Sequence, residues 1–168
     1  MTTLAQLNAM DAAEFTVTLG GIYEHSPWVA AAAAAGRPYV DVAALHGALQ
    51  AAMLGADAAT RLAFVRGHPQ LTGRLATQAL TEHSADEQRS AGLDRCSAQQ
   101  IATLRELNEA YLARHGFPFI IAVRGLSTEA IIAAMRARLA NDSATEYAAC
   151  LEQIGRITRL RLDALLNA

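Results

Sequence analysis

Apolar residues recur along most of this chain at three- and four-residue intervals, the period of a helix with one buried face. The pattern is cut into segments by glycine, by proline and by polar residues that accept hydrogen bonds from a helix start. "LAQLNAM" is long enough for a turn or two. Asp11 and Glu14 have the spacing of a capping box, in which each side chain serves an otherwise unpaired backbone N–H. They open a segment that Gly20 and Gly21 break. Pro27 suits the first turn of the next helix, and that helix stops at Gly36. Asp41 caps "VAALHGALQAAML", and Asp57 leads "AATRLAFVR" as far as Gly67.

A helical "LTGRLATQALTEH" follows, and Ser84 with Glu87 repeats the capping-box spacing before a short helix closed by Gly92. Ser97 and Gln100 open the long amphipathic segment that ends at Gly116. "FPFIIAVRG" then abandons the helical period. It is rich in branched and aromatic residues and reads as an extended, buried segment. Ser127 or Thr128 starts "EAIIAAMRARLA", and Ser143 with Glu146 starts a last helix running to about Leu166. No internal repeat, linker or second domain is visible. The expectation is one all-α domain over residues 1–168, with about seven to nine helices and one extended buried segment.

Bulk properties narrow the function classes. With 168 residues, 52% apolar and 18% charged, the chain can bury a core without metal or disulfide support. A formal charge of −2 with no cationic run argues against nucleic acid, whose binding relies on clustered cations. No stretch of about 18 uninterrupted apolar residues is present to span a membrane. The first residues lack a basic region followed by an apolar run, and the last are no peroxisomal address. The expected location is therefore the cytoplasm. Cys96 and Cys150 form no CxxC, which leaves either one long-range disulfide or, as the favoured reading in a reducing cytosol, two free thiols. The five histidines make no HxxxH and have no cysteine or carboxylate at zinc spacing, so no metal site is expected. No glycine-rich phosphate loop or GxSxG elbow occurs.

What remains is "RGHPQLTGR". Gly67 and Pro69 both break helices, so His68 is expected at a bend, with an ionisable ring held where the backbone turns. Read on its own, a histidine at a helix end caps a carbonyl or packs, and Ser84-x-x-Glu87 is a cap. The extended segment can be core, and Arg159 and Arg161 surface charges. Physical reading of single residues stops at a helical domain in which His68 and Glu87 are the plausible acid–base pair.

Taken together and in order, "EHSPWVA", "HPQL", "SADEQRSAGL", "LNEAYLARHGFPFIIAVRG" and a closing "RL" resemble one family. It is the 2-oxo-4-hydroxy-4-carboxy-5-ureidoimidazoline (OHCU) decarboxylases, and the resemblance runs from about Leu7 to Leu166. It implies an all-helical, cofactor-free carboxy-lyase, usually a homodimer. Such an enzyme converts a ureidoimidazoline carboxylate to (S)-allantoin in urate catabolism. By motif, it implies His68 as catalytic histidine and Glu87 as the essential carboxylate. Pro69, Ser84 and Gln88 are implied as substrate contacts, and so is the backbone of Phe119, Ile120, Ile121, Ala122 and Val123. Arg161 is a candidate for anion binding. One position departs from the family pattern, because Gln70 replaces the usual aspartate of His-Pro-Asp-Leu. Three other readings stay open on the sequence: an enzyme acting on a related ring carboxylate, a hydratase or isomerase using the same pair, and a non-catalytic helical module.

Overall fold

Why the helices start where they do is mostly a matter of local caps. The computed structural model describes residues 2–71 and 82–167, and for Glu82, His83, Ser84, Ser90 and Asn167 the backbone only. Nine α-helices occur among the described residues: α1 (Leu4–Ala9), α2 (Ala12–Leu19), α3 (Pro27–Ala33), α4 (Val42–Gly55), α5 (Ala58–Arg66), α6 (Glu82–Ser90), α7 (Ala98–His115), α8 (Thr128–Leu139) and α9 (Ser143–Asn167). Short 3-10 helices cover Ala34–Gly36 and Leu93–Arg95. No strand occurs among the described residues, as an all-α reading requires. The helix expected in "LTGRLATQALTEH" lies, for residues 72–81, outside the described residues.

The capping boxes of Asp11 with Glu14 and of Ser97 with Gln100 are both formed reciprocally. Asp41, Asp57 and Ser127 also cap as read. The Asp57 carboxylate accepts from the N–H groups of Ala59 and Thr60, each at 3.0 Å. Gly92 and Gly116 end their helices in the left-handed conformation, at φ 72° and 76°. A glycine carries no steric penalty there.

Two of the expected caps are corrected. α6 is already helical at Glu82, so Ser84 and Glu87 stand inside the helix and not at its entrance. Neither Glu82 nor His83 breaks a helix, and both are already helical. The start therefore moves upstream of the serine. At α9 the cap is Asp142, whose carboxylate accepts from Thr145 N at 2.9 Å and from Thr145 Oγ1 at 2.7 Å. Ser143 is the first helical residue, and Glu146 is drawn inside, with no exposed surface.

The chain divides into two units, residues 1–64 with 155–168, and residues 65–154, so that α5 and α9 contribute to both. In the first unit α3 packs against α2 and α4. Leu7, Phe15, Val29, Leu45, Leu49 and Met53 are fully buried there. Asn8 exchanges two hydrogen bonds with the Tyr39 backbone, at 2.8 and 2.9 Å. In the second unit α7 packs against α8. Its core holds Val65, Leu93, Leu104, Tyr111, Ile131 and Cys150. Both cysteines are free and buried. No helix of the described residues is long and apolar enough to cross a membrane.

Candidate functional site

His68 follows from the way α5 ends. The helix stops at Arg66, Gly67 turns, and His68 N–H donates to Val65 O at 3.2 Å. Pro69 has no N–H to continue a ladder and holds the preceding residue out of helical geometry. The histidine is half-buried, its Nδ1 shielded from solvent, and Pro69 is buried.

Three hydrogen bonds fix the backbone around this bend. Arg66 Nε donates to Gly116 O at 2.9 Å, tying the end of α5 to the residue before the extended segment. Gln88 Nε2 donates to Gln70 O at 3.2 Å. Asn108 Nδ2 donates to Leu71 O at 2.7 Å. The loop that carries His68 is thus held by α6 on one side and α7 on the other. A fixed loop keeps the ring oriented without relying on its own rotamer preference.

α6 brings the next candidates. Gln88 is buried and spends one donor on the loop, and Glu87, one residue earlier, is half-buried. Ser84 lies one helical turn before Gln88 in register, and its side chain lies outside the described residues. The bond from Gln88 to Gln70 brings the helix of Glu87 against the loop of His68.

The extended segment from Pro118 to Val123 has no regular secondary structure, as the loss of helical period foretold. Phe119, Ile120 and Val123 are buried, while Ile121 and Ala122 are partly exposed. Its backbone is anchored from behind. Arg138 Nη1 donates to Ile120 O at 2.8 Å, and Ala122 N–H donates to Gln153 Oε1 at 3.0 Å. The Arg138 guanidinium also lies over the Phe119 ring, 4.4 Å from its centroid.

Arg138 is held in turn by Glu146, with Nε at 3.0 Å and Nη2 at 2.9 Å from Oε2. Glu146 also accepts from Tyr111 O–H and, at 2.7 Å, from Asn141 Nδ2. Burial by itself raises a carboxyl pKa, but these donors outweigh it and hold Glu146 below the usual range. The Tyr111 hydroxyl goes the other way, raised first by burial and then by its bond to the carboxylate. Burial also pushes the Cys150 thiol up.

Arg161 belongs to the first unit. It is 2% exposed, with Nη2 at 2.6 Å from Glu24 Oε1 and Nη1 donating to Ile22 O at 3.3 Å. Among the described residues no three His, Cys, Asp or Glu side chains converge as a metal site would need.

Sequence reading passed over Arg66, Asn108, Arg138 and Gln153. Arg66 opens "RGHPQLTGR" and Asn108 lies in "LNEAYLARHGFPFIIAVRG", but neither was given a role, and Arg138 and Gln153 sit in no motif. The only signal was polar residues on otherwise apolar helix faces, and Asn108 is 5% exposed within α7.

Fold and site define an all-helical protein in which a His-Pro bend, a Glu-Gln helix and an extended backbone segment are locked in one hydrogen-bonded frame. The family model described as OHCU decarboxylase matches residues 8–163, and the chain belongs to that family. It is similar to the OHCU decarboxylase of Haloferax volcanii, with 41% identity over 160 residues, covering 95% of this chain and 94% of that protein. It is also 39% identical to the uric acid degradation bifunctional protein PucL of Bacillus subtilis. That match covers 99% of this chain and 33% of the longer protein. Among solved structures, an (S)-allantoin synthase superposes with a TM-score of 0.79 at 28% identity, over 98% of this chain and 54% of that one. An OHCU decarboxylase crystallised in the presence of (S)-allantoin shares the fold, with a TM-score of 0.70 at 22% identity, over 92% of this chain and 98% of that one.

Proposed function

We propose that this protein decarboxylates 2-oxo-4-hydroxy-4-carboxy-5-ureidoimidazoline to (S)-allantoin in urate degradation, with His68 as general acid–base and Glu87 assisting. The observation that carries the reading is the family match over residues 8–163, which includes the pinned His-Pro bend and the helix that meets it.

The substrate chemistry suits such a frame. The carbon that loses CO₂ also bears a hydroxyl, and its ring neighbour is an imine carbon. The electron pair left behind can pass into the C=N bond, so the substrate is its own electron sink. Pyridoxal phosphate or thiamine, which supply a sink elsewhere, have no task here. The protein must hold the carboxylate so that the breaking bond stands perpendicular to the ring. It must take the hydroxyl proton as that oxygen becomes a carbonyl, and let the imine nitrogen that received the electron pair be protonated. It must then deliver a proton to one face of the former imine carbon.

Histidine suits the last step because its ordinary pKa, about 6.5, lets it give and take a proton near neutrality. Glu87 binds the hydroxyl, orients His68, or both. Pro69, Ser84 and Gln88 line the substrate, and the backbone of Phe119 to Val123 recognises the ring carbonyl and ureido group by fixed geometry. Arg161 is a candidate for anion binding, and its guanidinium faces Glu24. The same reading takes the chain as one domain, a cytoplasmic homodimer with a small-molecule substrate.

The test generates the unstable substrate from urate with the upstream oxidase and hydrolase. Optically active allantoin is then followed by circular dichroism. Wild type should speed its appearance. His68→Asn should fold normally and lose about 10²–10⁴-fold in rate, the usual worth of a positioned acid–base group. Near-native turnover in that variant removes His68 from the mechanism.

A further inference from the structure

The backbone contacts of the extended segment sort by parity. Pro118 O accepts from Cys150 Sγ at 3.8 Å, and Ile120 O accepts from Arg138 at 2.8 Å. The Ile120 backbone also bonds toward the Cys150 sulfur, favouring its charged form. Ala122 N–H is given to Gln153 at 3.0 Å. Each of these even-numbered residues turns a polar backbone group toward a side chain of α8 or α9. In an extended chain successive residues point their N–H groups in opposite directions. The odd-numbered residues therefore direct theirs away from α8 and α9. Among the described residues, no acceptor is paired with the N–H of Ile121 or Val123.

A buried amide with no acceptor in the protein has to find water or a ligand. Ile121 is also one of the two partly exposed residues of the segment. We infer that Gln153 is a positioning residue: by holding Ala122 N–H, with Arg138 holding Ile120 O, it sets which amides face the substrate, namely those of Ile121 and Val123. This rests on the proposed decarboxylase reading and deepens it, dividing a five-residue stretch into an anchored set and a recognising set. The chemistry that two such N–H donors take is a pair of acceptor oxygens, as on the ring carbonyl and ureido carbonyl of the substrate. Gln153 touches neither.

Gln153 is half-buried on α9, so its replacement need not unfold the protein. Gln153→Met keeps the length of the side chain and removes the acceptor. KM should rise about fivefold to tenfold, the effect of one lost hydrogen bond, with kcat within about twofold. The melting temperature should change by no more than a few degrees. In wild type, NMR of ¹⁵N-labelled protein should show Ala122 N–H protected from exchange without ligand. The Ile121 and Val123 resonances should shift most on adding (S)-allantoin. In Gln153→Met the Ala122 protection should be lost.

A native KM with Ala122 still protected overturns the inference. So does an allantoin response centred on Ala122 in wild type. A wild-type protein that does not hasten allantoin formation removes the decarboxylase reading instead, and loss of Ala122 protection in Gln153→Met would still locate the clamp.

Discussion

Glu146 is the residue whose removal the structure predicts most sharply. Glu146→Gln keeps the shape and deletes the charge. The carboxylate has no exposed surface and accepts from Arg138, Tyr111 and Asn141. A carboxamide has one acceptor oxygen and one NH₂ group. Whichever way it is placed, that NH₂ meets a donor, and the Arg138 charge loses its counter-ion. Breaking a buried pair by removing one partner costs about 3–5 kcal/mol. At about 2–4 °C per kcal/mol for a protein of this size, the melting temperature should fall by roughly 6–20 °C.

Thermal and urea unfolding followed by circular dichroism measure it, and pH supplies the control. Glu146 titrates below the usual carboxylate range when folded, so its contribution is complete above that range. The contribution is lost as pH falls through the folded value. The gap between wild type and Glu146→Gln should therefore close in acid. A deficit under about 1 kcal/mol at neutral pH, or a gap that does not change in acid, would refute this account of the network.

Two further outcomes follow from groups that nothing in the sequence singled out. Asn108→Asp removes the donor to Leu71 O without changing the shape of the side chain, and the orphaned carbonyl should cost about 1–3 kcal/mol. Because that bond holds the His68 loop, the decarboxylation rate should drop by more than the unfolded fraction explains. Equal losses in rate and folded fraction would assign Asn108 to stability alone. His46 Nε2 lies 3.0 Å from Gly155 O and so donates its proton there, while burial lowers the pKa of the ring. The folded state then resists protonation, and stability is complete above the ordinary imidazole range and declines as pH falls below it. His115, also lowered by burial, acts in the same direction. His46→Gln should flatten only part of that decline in unfolding measured from neutral to mildly acid pH. An unchanged slope would show that His46 does not contribute.

Gln70 is a smaller lesson in the same vein. Its backbone carbonyl, which any residue would supply, holds Gln88. Nothing in the described contacts explains the glutamine side chain in place of the usual aspartate.

Local rules made much of the fold legible. A cap is formed by residues three apart, so Asp11 with Glu14, Asp41, Asp57, Ser97 with Gln100 and Ser127 could be read from spacing. The end of α5 before His68 was written in Gly67 and Pro69. The loss of helical period at "FPFIIAV" was visible because apolar residues stand there side by side. The same spacing misled at Ser84 and at Ser143, since a capping box requires a helix to begin there. Where it begins depends on the residues upstream.

The sequence by itself determined the helical alphabet, the bend that carries His68 and the family to which its motifs belong, because each depends on neighbours along the chain. Only the tertiary structure decided that Glu146 is a buried counter-ion and not a cap. It alone showed that Asn108 and Gln88 hold the loop, and that Arg138 and Gln153 hold alternate backbone groups of the extended segment. Arg138 and Glu146 are 8 residues apart on successive helices, and the other partners lie from 18 to 37 residues apart. A hydrogen bond over that separation forms only when packing brings its ends to about 3 Å, and no local pattern encodes that distance.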